Sequence, residues 1–180
     1  KKFSRQILTE SGRLIALVND IIKLSCLDEG GTEMRKEAVD LYKLAESTVQ
    51  SLMRVAEKSK VKIKLTGEAA NMEGIPSLLE GIVYNLCDNA IKYNKAGGTV
   101  NVDVKNEEDS LVLTVAGIPE EQQERIFERF FRVDKSHSKE VGGTGLGLSI
   151  VKHAAKLHDA KIELHSVLGE GTEVKVFFPK

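Results

Sequence analysis

Residues 85–93 read NLCDNAIKY, and this stretch decides how the rest of the chain is interpreted. Asn85 and Asn89 are four positions apart, so on a helix their amides share one face, with Lys92 beside Asn89. Amide oxygens suit Mg²⁺, a lysine suits a phosphate, and Tyr93 can cover a base or a ribose. The opposite stripe is apolar and consists of Ile82, Leu86, Ala90 and Ile91. The run predicts one wall of a nucleotide site, although alone it also fits a helix with surface asparagines.

A second run, GGTGLGLSI, occupies residues 142–150. Gly143, Gly145 and Gly147 alternate directly before a predicted helix. Glycine lets backbone N–H groups approach an anion, and a helix N-terminus adds further donors and a positive dipole end. No G-K-[ST] follows, which excludes a P-loop, and no parallel βαβ unit supports a dinucleotide fingerprint. The run predicts a phosphate-binding loop, with a loop that binds no ligand as the alternative.

The composition fits one globular domain with an appendage. Hydrophobic residues make up 41% of the 180 residues and charged residues 29%. The net charge of -1 argues against nucleic acid as a partner. Cys26 and Cys87 lie in apolar helical patterns without metal-ligand spacing, which predicts two buried thiols in a reducing compartment. No apolar run reaches the ~18–20 residues of a membrane span.

Residues 2–28 predict a long amphipathic helix. A face this wide needs a partner, so we expect a second helix in a dimeric bundle, with packing on the chain's own domain as the alternative. A hinge at residues 29–32 divides the chain into residues 1–30 and a domain over residues 31–180. The apolar stripe consists of Phe3, Ile7, Leu14, Leu17, Ile21 and Leu24.

The rest of the chain predicts an α/β fold. We expect a two-layer α/β sandwich, a mixed sheet with three helices on one face, preceded by the long amphipathic helix. Asp40 is the predicted N-cap of the first of these helices, and Pro76 lies in the first turn of the second. The predicted elements are an extended piece over 36–41, a helix to about 59, a strand over 61–65, a helix over 75–94, a hairpin of 99–104 with 111–115, a short helix over 119–127, a polar flap over 134–143, a helix over 146–158 and a hairpin of 161–167 with 172–178.

Together these runs resemble the catalytic ATP-binding part of a bacterial sensor histidine kinase of two-component systems, in the superfamily shared with gyrase, Hsp90 and MutL. Residues 85–93 resemble the N box of that family, residues 127–133 its F box, residues 143–147 its second glycine box and residues 169–172 its glycine-threonine turn. The N-terminal helix resembles the second helix of the dimerisation and phosphotransfer hairpin. The resemblance covers nearly the whole chain.

The resemblance implies that the chain binds ATP and Mg²⁺ and transfers the γ-phosphoryl group to a histidine. It names no certain catalytic residue. It implies a response regulator as partner, a homodimer formed through the N-terminal helix, and a cytoplasmic domain of a membrane-anchored protein. The implied nucleotide-binding residues are Asn85 and Asn89 for Mg²⁺ and phosphate oxygens, Lys92 and Arg132 for phosphates, Tyr93 for the nucleoside, the backbone of Gly143, Thr144, Gly145, Leu146 and Gly147 for the triphosphate, and Thr172 near the adenine. Phe127, Phe130 and Phe131 are implied to anchor the lid.

One departure from the family concerns the phosphoacceptor. The family carries its acceptor histidine, followed by an acidic residue, on the first helix of the hairpin. His137, His153, His158 and His165 all lie far from such a setting. We therefore expect the acceptor on a helix absent from this chain, and no activity from this chain alone.

The other departure concerns the base. The family places Asp-x-Gly-x-Gly after the strand that here ends at Val115, and its aspartate accepts a hydrogen bond from the adenine amino group. About four residues of that motif, including the aspartate, are missing between Ala116 and Gly117. Either they were left out of the determined sequence, which we favour, or the deletion is real. A real deletion predicts at least a roughly tenfold loss of ATP affinity.

Two alternative functions remain open. The missing motif favours a nucleotide-dead dimerisation or interaction module. A serine kinase that regulates a sigma factor belongs to the same superfamily, but the F box and the long preceding helix count against it.

Overall fold

The computed structural model describes residues 35–118, 146–167 and 171–180, together with the helical positions Ser11, Leu14, Ile15 and Val18. Within these residues the expected helices and strands are present. The strands are β1 (Glu37–Asp40), β2 (Lys62–Gly67), β3 (Asn71–Gly74), β4 (Thr99–Asn106), β5 (Ser110–Ile118), β6 (Lys161–Val167) and β7 (Gly171–Pro179). The helices are α1 (Leu41–Lys58), α2 (Pro76–Lys92) and α3 (Gly147–Leu157).

The main sheet has five strands in the order β2-β4-β5-β7-β6. β2 pairs with β4 in parallel, and the other neighbours are antiparallel, so the sheet is mixed. α1, α2 and α3 pack against this sheet, which confirms the predicted two-layer α/β sandwich. None of the helices in the described parts of the chain has both the length and the apolar composition that crossing a membrane requires.

The core lies between the helices and the sheet. The predicted inner stripe of α2, from Ile82 to Ile91, is at most 1% exposed. Cys87 is also fully buried, and burial, with the neighbouring charge of Asp88, raises the pKa of its thiol to about 12, so the thiol stays protonated. The opposing sheet face is an equally buried set consisting of Val100, Val102, Val104, Leu111, Leu113, Val115, Val174, Val176 and Phe178. The burial of one predicted thiol is thus confirmed, while Cys26 lies outside the described residues.

Local signals explain both ends of α1. Asp40 is the N-cap, as predicted, since its Oδ1 accepts from the N–H groups of Tyr42 at 3.1 Å and Lys43 at 3.3 Å. At the other end Lys60 adopts a left-handed conformation with φ 56°, and its N–H donates to the carbonyl of Glu57 at 3.0 Å. The helix therefore ends in a tight turn of the kind that glycine usually occupies.

The described positions of the N-terminal helix are helical, as predicted. Leu14, Ile15 and Val18 are 62%, 63% and 53% exposed. These three apolar side chains are exposed, and whether the helix packs on a partner helix or on the chain's own domain stays a prediction. The division of the chain near residue 30 stays a prediction, because the surrounding residues lie outside the described ranges.

Strand β3 was not expected from the sequence. Its residues, NMEG, include one large apolar side chain and show no extended alternation. The strand exists because it pairs antiparallel with β1, where Val39 lies opposite Met72. This small two-stranded sheet leads the chain into the start of α2.

The shortened segment is a regular part of the main sheet. β5 runs through Ala116 and Gly117 to Ile118, and Ala116 pairs with Glu173 while Ile118 pairs with Thr172. Gly117, with φ 112°, takes up the register shift between these two pairs. The strand runs through Ala116 and Gly117 without a break, and the choice between omitted residues and a real deletion stays a prediction.

Candidate functional site

Asn85 and Gly147 bring the two predicted motifs together. The Nδ2 of Asn85 donates to the carbonyl of Gly81 at 2.7 Å, one turn earlier in α2. Its amide oxygen faces the N-terminus of α3, where a Cβ built on Gly147 would lie 2.6 Å from Oδ1. A glycine at residue 147 therefore lets the first turn of α3 approach the asparagine of α2. The helix that bears the asparagines and the described end of the glycine-rich run, at Leu146 and Gly147, therefore lie together.

The N-terminus of α3 suits an anion. Leu146 is the N-cap and forms no side-chain capping hydrogen bond. Its own side chain is fully buried in the core, which anchors the start of the helix. Ser149 Oγ donates to the Leu146 carbonyl at 2.7 Å and therefore does not cap a backbone N–H. The backbone donors and the positive dipole end of α3 are thus placed beside Asn85 without a side-chain cap.

The C-terminus of α2 holds the predicted phosphate ligand in an ion pair. Lys92 Nζ lies 2.6 Å from Oδ2 of Asp88, and the two side chains are 30% and 14% exposed. Tyr93 follows as the C-cap, 39% exposed, with its N–H donating to the carbonyl of Asn89 at 3.0 Å. A phosphate bound at this position would have to compete with the Asp88 carboxylate for the lysine ammonium group.

Thr172 lies at the end of the sheet where β5 is shortened. It is 2% exposed and pairs with Ile118. Its side chain belongs to the same buried row of β7 as Val174 and Val176, on the face that the helices cover. The structure therefore places Thr172 on the helix side of the sheet, next to the segment that lacks the family's aspartate.

Asn94 is a residue of this region that the sequence reasoning missed. Its Nδ2 donates to the carbonyls of Gly117 at 3.2 Å and Thr99 at 3.4 Å, and its Oδ1 accepts from the N–H of Lys95 at 3.0 Å. The side chain thus ties the end of α2 to β4 and to the shortened part of β5. The available signal was an asparagine directly after residues 85–93, although its partners were not visible in the sequence.

The donors at the site fit a magnesium-bound triphosphate better than a metal held by protein alone. The described residues include no group of three or more His, Cys, Asp or Glu side chains that could hold a metal ion. The amides of Asn85 and Asn89 on α2 are half-buried oxygen donors one turn apart, and the Asp88 carboxylate between them is paired with Lys92. Mg²⁺ is commonly bound by few protein oxygens together with substrate phosphates, and these two amides fit that arrangement.

Part of the predicted site cannot be placed. The residues implied for the lid and for one phosphate contact lie outside the described ranges. They are Phe127, Phe130, Phe131, Arg132, Gly143, Thr144 and Gly145, together with the predicted flap over 134–143. The described part of the site therefore consists of the α2 face, the first turn of α3 and the end of the sheet near Thr172.

Comparison with known proteins agrees with this geometry. Residues 74–180, more than half of the chain, match the family described as histidine kinase-, DNA gyrase B-, and HSP90-like ATPase. The sensor-like histidine kinase SenX3 of Mycolicibacterium smegmatis is 34% identical over 185 residues, which cover 100% of this chain and 48% of SenX3. The chain spans less than half of the length of the first curated relatives that it matches.

Solved structures show the same fold. The histidine kinase AdeS of Acinetobacter baumannii has a TM-score of 0.82 at 19% identity, over 99% of this chain and 84% of AdeS. Full-length ShkA in complex with AMPPNP has a TM-score of 0.80 at 25% identity, over 100% of this chain and 39% of ShkA. The family match, these relatives and the meeting of the two motifs support one conclusion. The chain belongs to the histidine kinase-, DNA gyrase B- and HSP90-like ATPase family, and within it resembles the catalytic domains of sensor histidine kinases.

Proposed function

We propose that this chain binds Mg-ATP and forms the catalytic part of a sensor histidine kinase, which transfers the γ-phosphoryl group to a histidine of a helical hairpin. The observation that carries the proposal is the approach of Asn85 Oδ1 to Gly147. It joins an oxygen donor for Mg²⁺ to a helix N-terminus that can bind phosphate. The similar protein ShkA has been solved with AMPPNP, which supports a nucleotide in this fold.

The protein's part in the reaction is positioning and charge stabilisation. Bound Mg-ATP supplies the transferable phosphoryl group and the metal charge. The amides of Asn85 and Asn89 orient the metal and phosphate oxygens. The first-turn N–H groups of α3 bind phosphate oxygens. Lys92 leaves its ion pair with Asp88 and pairs with a phosphate instead. Tyr93 and Thr172 are proposed to border the nucleoside.

The acceptor histidine is proposed to lie on a hairpin helix rather than among the histidines of this chain. Both ring nitrogens of His158 are engaged by backbone groups, and the ring is 3% exposed. His153 Nδ1 lies 2.8 Å from the carbonyl of Ser149 within α3. His165 lies on the edge strand β6, and His137 lies outside the described residues.

Calorimetric titration with Mg-ADP tests the nucleotide site. We expect one site with micromolar affinity and a loss of at least about tenfold in Asn89→Ala, because one metal-orienting oxygen is removed. Asn101→Ala, at an exposed position of β4, is the matched control and should bind like the wild type. Equal affinity in the two variants would show that the nucleotide binds elsewhere.

A nucleotide-dead interaction module is the second candidate, and the lack of the family's aspartate motif between Ala116 and Gly117 favours it. Without the family's aspartate, the adenine amino group lacks its carboxylate partner. The same titration separates the candidates, because a module without a nucleotide site gives no heat even at millimolar Mg-ADP.

The setting of the domain in a whole protein follows from the family. We propose a homodimer formed through the N-terminal helix, a response regulator as phosphoryl recipient, and a cytoplasmic position in a membrane-anchored sensor. The exposure of Leu14, Ile15 and Val18 supports the dimer. Sedimentation tests it, because replacing these three residues by serine should shift the chain to a monomer.

A further inference from the structure

His158 links the end of α3 to the start of α2. It is the C-cap of α3 and is 3% exposed. Its Nδ1 lies 2.7 Å from the carbonyl of Ala154, and its Nε2 lies 2.9 Å from the backbone nitrogen of Ile75, the N-cap of α2. A neutral imidazole offers one donor and one acceptor. The contacts therefore require the neutral tautomer, with the proton on Nδ1 donated to Ala154 and Nε2 accepting from Ile75.

The surroundings are shaped to admit this ring. A Cβ on Gly74 would lie 3.2 Å from Nε2 of His158 and 2.7 Å from Cδ1 of Leu79. On another side the ring meets Phe178 edge to face, with 6.3 Å between ring centroids. The backbone before α2 thus approaches the imidazole closely, and the contact with Phe178 fixes the orientation of the imidazole ring.

The His158–Ile75 bond and the Asn85–Gly147 contact lie at opposite ends of α3, and on α2 they lie at the N-cap and near the middle of the helix. In α2 the chain runs from Ile75 to Asn85, and in α3 it runs from Gly147 to His158. At a rise of about 1.5 Å per residue, both segments are roughly 15 Å long. The two helices are therefore antiparallel, and each end of α3 contacts α2. A shift of α3 along α2 breaks both contacts together.

We propose that His158 is a positioning residue of the nucleotide site, whose neutral ring sets the axial position of α3 so that Gly147 meets Asn85. The inference rests on the proposed nucleotide site and adds that protonation of the His158 ring lowers the affinity of this site for nucleotide. Protonation places a hydrogen on Nε2, so that two donors, Nε2–H and the Ile75 N–H, face each other. The bond is then lost and α3 is free to shift.

Burial keeps the His158 ring neutral near pH 7. Burial is the main cause that lowers the pKa of His158, and Lys36 lowers it further, while the Ala154 carbonyl and Asp159 act in the opposite direction. Lys36 lies directly before β1, and Asp159 directly follows the ring. The neighbours contributed by β3, α2 and β7, which are Gly74, Ile75, Leu79 and Phe178, carry no ionisable side chain.

Nuclear magnetic resonance on the nucleotide-free protein tests whether protonation of His158 affects Gly147. A His153→Asn background removes the other imidazole of α3, and Asn keeps a donor for the Ser149 carbonyl. We expect the Gly147 amide resonance to titrate with the same midpoint as the His158 ring. In His158→Gln, whose Oε1 can accept from Ile75 without titrating, the Gly147 resonance should stay constant. A Gly147 resonance that ignores the titration of His158 would overturn the proposal.

Nucleotide affinity tests the consequence for the site. Between about pH 7.5 and about pH 5.5, we expect Mg-ADP affinity to fall more in the His153→Asn protein than in its His158→Gln derivative, by a factor of at most about ten because the pKa of His158 in the folded chain lies below 6.5. Protonation of the ligand affects both proteins equally. By linkage, Mg-ADP should also lower the titration midpoint of His158. Equal pH dependence in both proteins would contradict the proposal. Absence of binding at pH 7.5 would contradict the nucleotide site instead, and the Gly147 titration would still decide whether the helices are linked.

Discussion

The amide oxygen of Asn85 fills the space that a side chain at residue 147 would need, because a Cβ on Gly147 would lie 2.6 Å from Oδ1. One helix thus supplies a side-chain oxygen and the other supplies backbone donors at a single location. The contact explains why a glycine occupies this first-turn position of α3. It also means that small changes at residue 147 act directly on the proposed nucleotide site.

Gly147→Ala should impair nucleotide binding more than folding. The added methyl group must displace the Asn85 amide or push α3 away from α2. We expect Mg-ADP affinity to fall at least about tenfold, with a change in the free energy of unfolding below about 1 kcal/mol. Calorimetry and urea unfolding measure the two effects.

Gly81→Ala is the matched control, since a Cβ on Gly81 meets no atom within 4 Å. The backbone carbonyl that binds Asn85 is retained. Alanine in a helix interior should raise the free energy of unfolding by about 0.5–1 kcal/mol and leave nucleotide affinity unchanged. A loss of affinity in Gly81→Ala equal to that in Gly147→Ala would show that the Asn85–Gly147 contact is not the cause.

Lys60→Gly should stabilise the chain. Lys60 has φ 56°, a left-handed conformation that costs a residue with a side chain about 1 kcal/mol relative to glycine. We expect the free energy of unfolding to rise by up to that amount in thermal or urea unfolding. Ser59→Gly, at a neighbouring position with φ -83°, has no such strain to relieve and should be neutral or destabilising.

Asn94→Ala should loosen the shortened end of β5. It removes the bonds from Nδ2 to the carbonyls of Gly117 and Thr99, at a cost of about 1–2 kcal/mol in the free energy of unfolding. Gly117→Ala should destabilise the same place, because φ is 112° and the Cβ would lie 2.7 Å from the Thr99 carbonyl oxygen. Asn101→Ala serves as the exposed control. Unfolding curves for Asn94→Ala and Asn101→Ala that coincide would refute the role of Asn94.

Folding stability should fall in mild acid because of His158. Burial, the main cause, lowers the pKa of its ring below 6.5, so the unfolded chain takes up a proton at a higher pH than the folded chain. The contribution is complete above pH 6.5 and is lost as the pH falls toward the folded-state pKa, with a slope of up to ~1.4 kcal/mol per pH unit. Urea unfolding across this range measures the slope. His158→Gln should remove this component and leave only the slope due to other groups.

The sequence predicted the elements whose burial follows a simple period. The apolar stripe of α2 was readable because every third or fourth residue must face the core, and all of it is buried. Strand β3 was not readable, because its pairing with β1 stabilises a polar segment. Propensity and periodicity report local preferences, whereas this strand depends on a partner about thirty residues away.

The candidate site, like the fold, could be predicted from the sequence only in part. The meeting of residues 85–93 with the start of α3 followed from the resemblance, and the Asn85–Gly147 contact agrees with it. The Lys92–Asp88 ion pair corresponds to a spacing of four residues along α2, which is the spacing that brings opposite charges together on a helix. The roles of Asn94 and His158 could not be predicted, because their partners Gly117 and Ile75 come close only after the sheet and the helix pair have formed.

A single titration addresses the central claim, that α2 and α3 bind one magnesium-bound nucleotide between them. Mg-ADP is added to isotope-labelled protein, and the side-chain amide of Asn85 and the backbone amide of Gly147 are followed by nuclear magnetic resonance. The account predicts that both resonances shift together with one micromolar midpoint. Resonances that stay in place at millimolar Mg-ADP, or that shift with different midpoints, would contradict it.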